Sequence, residues 1–146
     1  MARHRYIRQK WLTISQQDWL VRARYPQFRS TSDRGNRIIW TGNLQPTARS
    51  ACYRVEITYV VPRRPEIRVL EPELHKREGS ERLPHVFPGD LLCVHEACDW
   101  NATMMIAATI IPWLCSWLYF YEVWLDTGYW EGEGTHPEWR EHKPAA

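Results

Sequence analysis

Twenty consecutive residues without a formal charge, from Ala102 to Tyr121, constrain the fold of this chain more than any other feature. A helix of this length can cross a bilayer. Pro112 interrupts the run, however, and its aromatic residues fill the C-terminal half instead of forming two interfacial belts. The flanks, Asp99 before and Glu122 after, are acidic where a membrane span favours basic residues. The pattern therefore predicts no membrane span but two buried helices split at Pro112, which lies in the first turn of the second.

Length and composition predict a single domain that covers residues 1–146, with a polar, frayed tail at 138–146. A chain of 146 residues can bury a hydrophobic core of its own. Nine tryptophans and seven tyrosines predict that this core is aromatic and partly lined with hydrogen-bonding groups.

The four cysteines are unevenly spaced, and the first twelve residues lack the apolar region of a secretory signal peptide. This combination predicts a cytoplasmic protein with free thiols and no disulfide framework. Cys52 lies in a strand-like run and Cys115 in the apolar segment, so both are expected to be packing residues.

Charge is distributed unevenly along the chain. Residues 1–37 carry nine arginines and lysines against two acids, a net charge of +7, and the remainder carries a net charge of −5. The basic end suits either an acidic partner surface or a solvated first helix. The basic residues are not dense enough to predict binding to nucleic acid.

The residues from Ala51 to Pro62 form the clearest predicted strand, because apolar and polar side chains alternate there. The remaining elements give an α+β fold with an N-terminal helix, an antiparallel meander of about four strands and C-terminal helices. These elements are a helix from about Ile7 to Arg24 with an alternative start at Ser15, strands at Asn36–Leu44 and Glu66–Leu70, a loop at Leu74–Leu83, and a short strand that ends at Cys93.

Cys93 is the best candidate nucleophile. It closes a short apolar stretch after Phe87-Pro88-Gly89 and precedes a polar connection, a place where a cysteine can present its sulfur at the surface. The thiolate is the reactive form of such a residue. The alternative is a small apolar side chain that closes a strand.

Several short stretches follow one another along the chain. They are Tyr25-Pro26-Gln27-Phe28, residues 40–47 (WTGNLQPT), residues 53–59 (YRVEITY), Pro84-His85-Val86-Phe87, Leu91-Leu92-Cys93-Val94, Ile110-Ile111-Pro112-Trp113, and residues 124–130 (WLDTGYW) running to His136-Pro137. In this order they resemble the ubiquitin-conjugating enzyme fold. More specifically, they resemble the small bacterial ubiquitin-conjugating-like proteins of antiphage operons, including CBASS loci that encode a cyclic-nucleotide synthase.

The resemblance implies that Cys93 forms a thioester with the C-terminal carboxyl of a protein partner. That partner is expected to be the cyclic-nucleotide synthase. The chain has no Gly-rich nucleotide-binding loop after a strand, so either a separate protein activates that carboxyl or this protein acts on a bond already made. No cofactor is implied. The competing hypothesis is a non-catalytic module that clamps the partner's tail, and a cysteine hydrolase is a third.

His85 occupies the place where eukaryotic relatives carry a His-Pro-Asn motif, but here the order is Pro84-His85-Val86 and the asparagine is absent. That asparagine is thought to steady an oxyanion. Asn101 is a candidate substitute if its loop folds back. His85 itself is expected either to brace the loop or to move protons.

Two further histidines are candidate catalytic residues. His95 lies two residues after Cys93, so an extended chain places both side chains on one side, where the imidazole lowers the pKa of the thiol. His136 follows the flexible stretch Gly132-Glu133-Gly134-Thr135. A surface position is the alternative for each.

The residues after Cys93 carry two more hypotheses. Asp99 and Trp100 are expected to contact the partner. A zinc site built on Cys93, His95 and Cys98, with His85 as a fourth ligand, is disfavoured. Structural zinc sites pair two closely spaced ligand pairs, and the second pair is missing. Aromatic residues also recur at helical spacing, at Trp113, Trp117, Tyr121 and Trp124. This spacing favours packing of their rings in the core over a peptide-binding face.

Overall fold

The computed structural model describes residues 10–33 and 35–132. It confirms the α+β fold: a helix, a four-stranded antiparallel sheet, a short two-stranded ribbon and a long C-terminal helix. The elements are α1 (Ile14–Arg24), β1 (Arg29–Ser32), β2 (Arg37–Leu44), β3 (Tyr53–Val60), β4 (Glu66–Glu71), β5 (Val86–Phe87), β6 (Leu91–Leu92), a 3₁₀ turn (Ile106–Ala108) and α2 (Ile110–Thr127).

The sheet runs β1-β2-β3-β4 with every neighbouring pair antiparallel. Along β3 the alternation predicted from sequence is confirmed. Tyr53, Val55, Ile57 and Tyr59 are each at most 3 % exposed, because one face of the sheet covers the core. Helix α2 packs on this face, and the hydroxyl of Tyr53 donates to the carboxylate of Glu122 at 3.0 Å.

The strand composition of the sheet differs from the prediction in two ways. β1 was missed because its residues (RSTS) are polar and mostly exposed, so its edge position depends on main-chain pairing with β2. The short strand before Cys93 is not part of the meander. It pairs with β5 in a separate two-stranded ribbon, with Val86 opposite Leu92 and Phe87 opposite Leu91.

Helix α1 begins later than its apolar spacing indicated, so the predicted start near Ile7 is wrong. Residues 10–13 precede the helix, and Ile7 lies outside the described residues. The start is fixed by a capping box, in which Thr13 accepts from the main-chain N–H of Gln16 and the Gln16 side chain accepts from that of Thr13. The alternative start at Ser15 is therefore off by one residue.

Buried Gln17 ties α1 to the turn that precedes α2. Its side-chain nitrogen donates to the carbonyl of Met104 at 2.8 Å, and its oxygen accepts from the N–H of Ile106 at 3.0 Å. This turn is part of the core, where an unpaired main-chain group costs free energy. The Gln17 side chain therefore stabilises the turn by pairing two of its main-chain groups.

Helix α2 is the second of the two predicted helices, and Pro112 lies in its first turn as expected. The first of the pair is only the three-residue 3₁₀ turn. By length and composition the segment Ile106–Thr127 is apolar enough to cross a membrane. Its buried side chains supply much of the core, and they are Ile110, Ile111, Leu114, Trp117, Leu118, Tyr121 and Trp124.

Candidate active site

Cys93 lies directly after β6, and its main chain continues the ribbon. Its N–H donates to the carbonyl of His85 at 2.9 Å, which adds a further main-chain pairing beyond Val86 and Leu92. The side chain is half-buried, and Sγ donates to the carbonyl of His95 at 3.5 Å. The main-chain hydrogen bond to His85 and the side-chain contact with His95 together hold the sulfur in place.

The direction of the Cys93 side chain follows from the alternation of the ribbon. Val86 and Leu92 lie opposite each other, and both are buried in the core. Successive side chains of a strand point to opposite faces. Phe87, Leu91 and Cys93 therefore lie on the other face, where all three are half-buried.

Of these three residues, Cys93 borders a cavity of about 370 Å³. Aromatic side chains from α2 and from the segment that follows it form one wall, and the polar connection after Cys93 forms the other. The lining residues are His85, Cys93, Val94, His95, Glu96, Asp99, Trp113, Ser116, Trp117, Phe120 and Trp130. A cavity of this size with an apolar wall and a few polar groups is typical of a ligand site.

His85 shapes the base of the cavity. Its main chain is in the left-handed region (φ 48°), and its carbonyl accepts both the N–H of Cys93 and the indole N–H of Trp117, the latter at 3.0 Å. Its ring is 6 % exposed and stacks on Trp130, with ring centroids 4.8 Å apart. These contacts connect His85 both to the loop that carries Cys93 and to the aromatic wall of the cavity.

The ring of His95 is turned toward the polar connection. Its Nδ1 lies 2.5 Å from the carbonyl oxygen of Glu96, and its ring centroid lies 5.5 Å from that of Trp113. The contact that His95 makes with the sulfur of Cys93 is through its main-chain carbonyl. That the imidazole of His95 lowers the pKa of the Cys93 thiol, as expected from the two-residue spacing, remains a prediction.

Asn101 is not among the residues that line the cavity. Its Oδ1 accepts from the N–H of Thr103 at 2.9 Å and from the hydroxyl of the same residue at 2.5 Å. The side-chain oxygen is thereby occupied in a local turn. His136, the remaining predicted site residue, lies outside the described residues.

The two residues expected to contact a partner are placed differently. Asp99 is exposed and lines the cavity, and its Oδ2 accepts from the N–H of Glu96 at 3.3 Å. Trp100 is buried, donates its indole N–H to Thr109 at 3.2 Å and packs edge-to-face on Tyr59. The expected partner contact of Trp100 is therefore wrong, because its ring belongs to the core.

Burial and nearby charges act on Cys93 in opposite directions. Burial raises the pKa of the Cys93 thiol above its usual range, the positive charge of Arg64 lowers it, and the negative charge of Glu96 raises it further. Burial has the largest effect. The net result is a thiol that is mostly protonated near neutral pH.

The other cysteines are free and differ in exposure. Cys115 is half-buried against the core, as expected, and burial raises the pKa of its thiol. Cys52 is exposed, so its predicted packing role is wrong. Cys98 is exposed, with Sγ 3.8 Å from Oδ1 of Asp99. Within residues 10–33 and 35–132, no group of three histidine, cysteine or acidic side chains is placed to hold a metal ion.

Several residues of the site were not identified from sequence. Trp113 was assigned to a core stripe, but it is half-buried and lines the cavity together with Phe120 and Trp130. Its spacing of four residues from Trp117 is the signal that places both on one face of α2. Arg64 was not among the candidate residues, because no local pattern connects it with Cys93.

The family described as "Type II CBASS E2 protein" matches residues 17–137 of this chain. The matched region runs from the middle of α1 through the sheet, the ribbon and α2. No curated protein shows a significant match to the chain.

Proposed function

Because the chain belongs to the type II CBASS E2 protein family, and so has a ubiquitin-conjugating-like role in an antiphage operon, we propose that Cys93 accepts the C-terminal carboxyl of a protein partner as a thioester. One observation carries this proposal. The half-buried sulfur of Cys93 lies at the end of a fixed ribbon and borders a cavity of about 370 Å³ that could receive the end of a polypeptide.

The reaction is an exchange of one acyl bond for another. The sulfur of Cys93 attacks the activated carbonyl carbon of the partner's C-terminus, which arrives as a thioester on a separate activating enzyme. A new carbon–sulfur bond forms, the bond to the donor sulfur breaks, and the proton of the Cys93 thiol passes to the departing thiolate. An amine later takes the acyl group from Cys93 and releases the thiol.

The lining of the cavity supports binding of an extended tail. Trp113 and Phe120 offer apolar surface to side chains of the tail, and the carboxylates of Glu96 and Asp99 lie at the polar wall. A carboxylate in that position can accept a proton from an incoming amine. We assign the partner as the cyclic-nucleotide synthase of the operon, as the resemblance implies, with the reaction in the cytoplasm.

A second candidate is a non-catalytic module that clamps the partner's tail. The observation in its favour is that burial raises the pKa of Cys93, so that little of the nucleophilic thiolate is present near neutral pH. The absence of an asparagine after Pro84-His85 acts in the same direction, since the usual oxyanion donor is missing.

Intact-mass spectrometry of the protein purified together with its operon neighbours separates the two candidates. The thioester proposal predicts an adduct whose mass equals that of the partner less one water, and which a thiol reductant removes. The clamp predicts that the partner copurifies while the mass of this chain stays unchanged. A C98A variant serves as the matched control, because Cys98 is exposed and lies on the same connection. Loss of the adduct in C98A but not in C93A contradicts the assignment.

A further inference from the structure

Arg64 lies in the connection between β3 and β4, and its exposed side chain reaches across to the ribbon. Its Cζ lies 4.1 Å from the centroid of the Phe87 ring. A guanidinium on the face of an aromatic ring is held by the ring's electrons. The ion pairs found between described residues do not include Arg64, so within this part of the chain its charge is not neutralised by a carboxylate.

The ribbon places this charge on the side of the nucleophile. Phe87 is opposite Leu91, and the hydrogen bond from Cys93 to the carbonyl of His85 extends the same register. Phe87 and Cys93 are therefore diagonal neighbours on one face, a relationship that separates residues by about 7–8 Å. Arg64, stacked on Phe87, lies over that face.

We propose that Arg64 is a positioning residue for the chemistry of Cys93: the Phe87 ring holds its guanidinium beside the sulfur, where the charge favours the thiolate. This inference rests on the proposed role of Cys93 as nucleophile. Arginine suits the task because it stays charged at every relevant pH and stacks on a ring through its planar face. The positive charge of Arg64 lowers the pKa of the Cys93 thiol, which agrees with this role.

Other ionisable groups also face the sulfur. Glu96 and Asp99 on the connection after Cys93 carry negative charge, and His85 and His95 complete the titratable lining of the cavity. The two carboxylates oppose formation of the thiolate. Among the charged groups that act on the sulfur, Arg64 is the one that opposes them and opposes burial.

The rate at which iodoacetamide alkylates Cys93 tests the proposal, with each cysteine followed by peptide mass spectrometry. At low salt and neutral pH, R64Q is expected to slow alkylation of Cys93 about two- to fivefold, the range for an exposed charge pair. The matched control is R63Q, which removes the neighbouring exposed charge and is expected to leave the rate unchanged. Cys52, exposed in the same sample, provides an internal reference.

Salt and a second variant distinguish an electrostatic effect from a change of structure. In about 1 M salt the difference between wild type and R64Q is expected to shrink, because exposed charges are screened. F87L, which removes the ring but keeps the charge, is expected to slow alkylation less than R64Q does. Equal rates for wild type and R64Q, an equal effect of R63Q, or a difference that persists in high salt overturns the proposal.

Alkylation needs no acyl donor, so this test is independent of the thioester proposal. Slower alkylation of R64Q with no adduct from the operon partner supports the role of Arg64 and rejects the acyl transfer. An adduct in the wild type with unchanged alkylation of R64Q rejects the role of Arg64 alone.

Discussion

The main-chain N–H of Cys93 donates to the main-chain carbonyl of His85 at 2.9 Å. The same carbonyl accepts the indole N–H of Trp117 at 3.0 Å, so α2 is tied to the end of the ribbon that carries Cys93. One oxygen atom thereby joins the loop that carries the sulfur to the helix that forms the cavity wall.

Replacing Trp117 by phenylalanine is expected to weaken this junction. The W117F variant loses the hydrogen bond to His85, which contributes about 0.5–1.5 kcal/mol to stability, in addition to the packing of the larger ring. W124F is the matched control, since Trp124 is buried on the same helix. Urea denaturation is expected to show a larger loss for W117F than for W124F, and equal losses contradict the importance of the bond.

The left-handed main chain of His85 predicts a difference between two substitutions. Both H85A and H85N lose the stacking on Trp130, but asparagine tolerates a positive φ better than alanine does. H85N is therefore expected to be more stable than H85A by about 1 kcal/mol. Thermal or urea unfolding measures the difference, and an H85N variant that is no more stable than H85A rules out the backbone explanation.

Gln17 is expected to be among the most sensitive polar positions in the described part of the chain. Q17L leaves the carbonyl of Met104 and the N–H of Ile106 buried without a partner, at a cost of about 1–3 kcal/mol for each group. Q27L is the control, because Gln27 is exposed and its removal is expected to change the free energy of unfolding by about 0.5 kcal/mol or less. Similar losses of unfolding free energy in Q17L and Q27L would contradict the importance of the two Gln17 hydrogen bonds.

The reactivity of Cys93 is expected to rise with pH over a wide range. Because burial raises the pKa of the thiol, its thiolate forms at higher pH than in a free cysteine peptide. Below that pKa the alkylation rate increases about tenfold per pH unit, and its plateau lies at higher pH than the plateau of the peptide. A plateau at lower pH means that a cation or an imidazole outweighs burial.

The sequence predicted those parts of the fold in which one-sided burial imposes a period. β3 alternates because one face covers the core, and the aromatic spacing of α2 follows the buried stripe of a helix. β1 has no such pattern, since its polar side chains face solvent and only main-chain pairing holds it to β2.

The candidate site was predictable only where it is local in sequence. Cys93 follows from an apolar strand end beside a polar connection. The stacking of His85 on Trp130 and of Arg64 on Phe87 joins residues that are distant along the chain, and no spacing rule connects them. Trp100 was expected to contact the partner, but its ring is buried in the core.

Above all, we propose that the sulfur of Cys93 carries the acyl group. The most direct measurement is a non-reducing gel of the protein after reaction with its operon partner and any activating enzyme, with and without dithiothreitol, for wild type, C93A and C98A. We predict a dithiothreitol-sensitive adduct in wild type and C98A that is absent from C93A, while circular dichroism shows that C93A keeps the fold. An unchanged adduct in C93A would contradict the account.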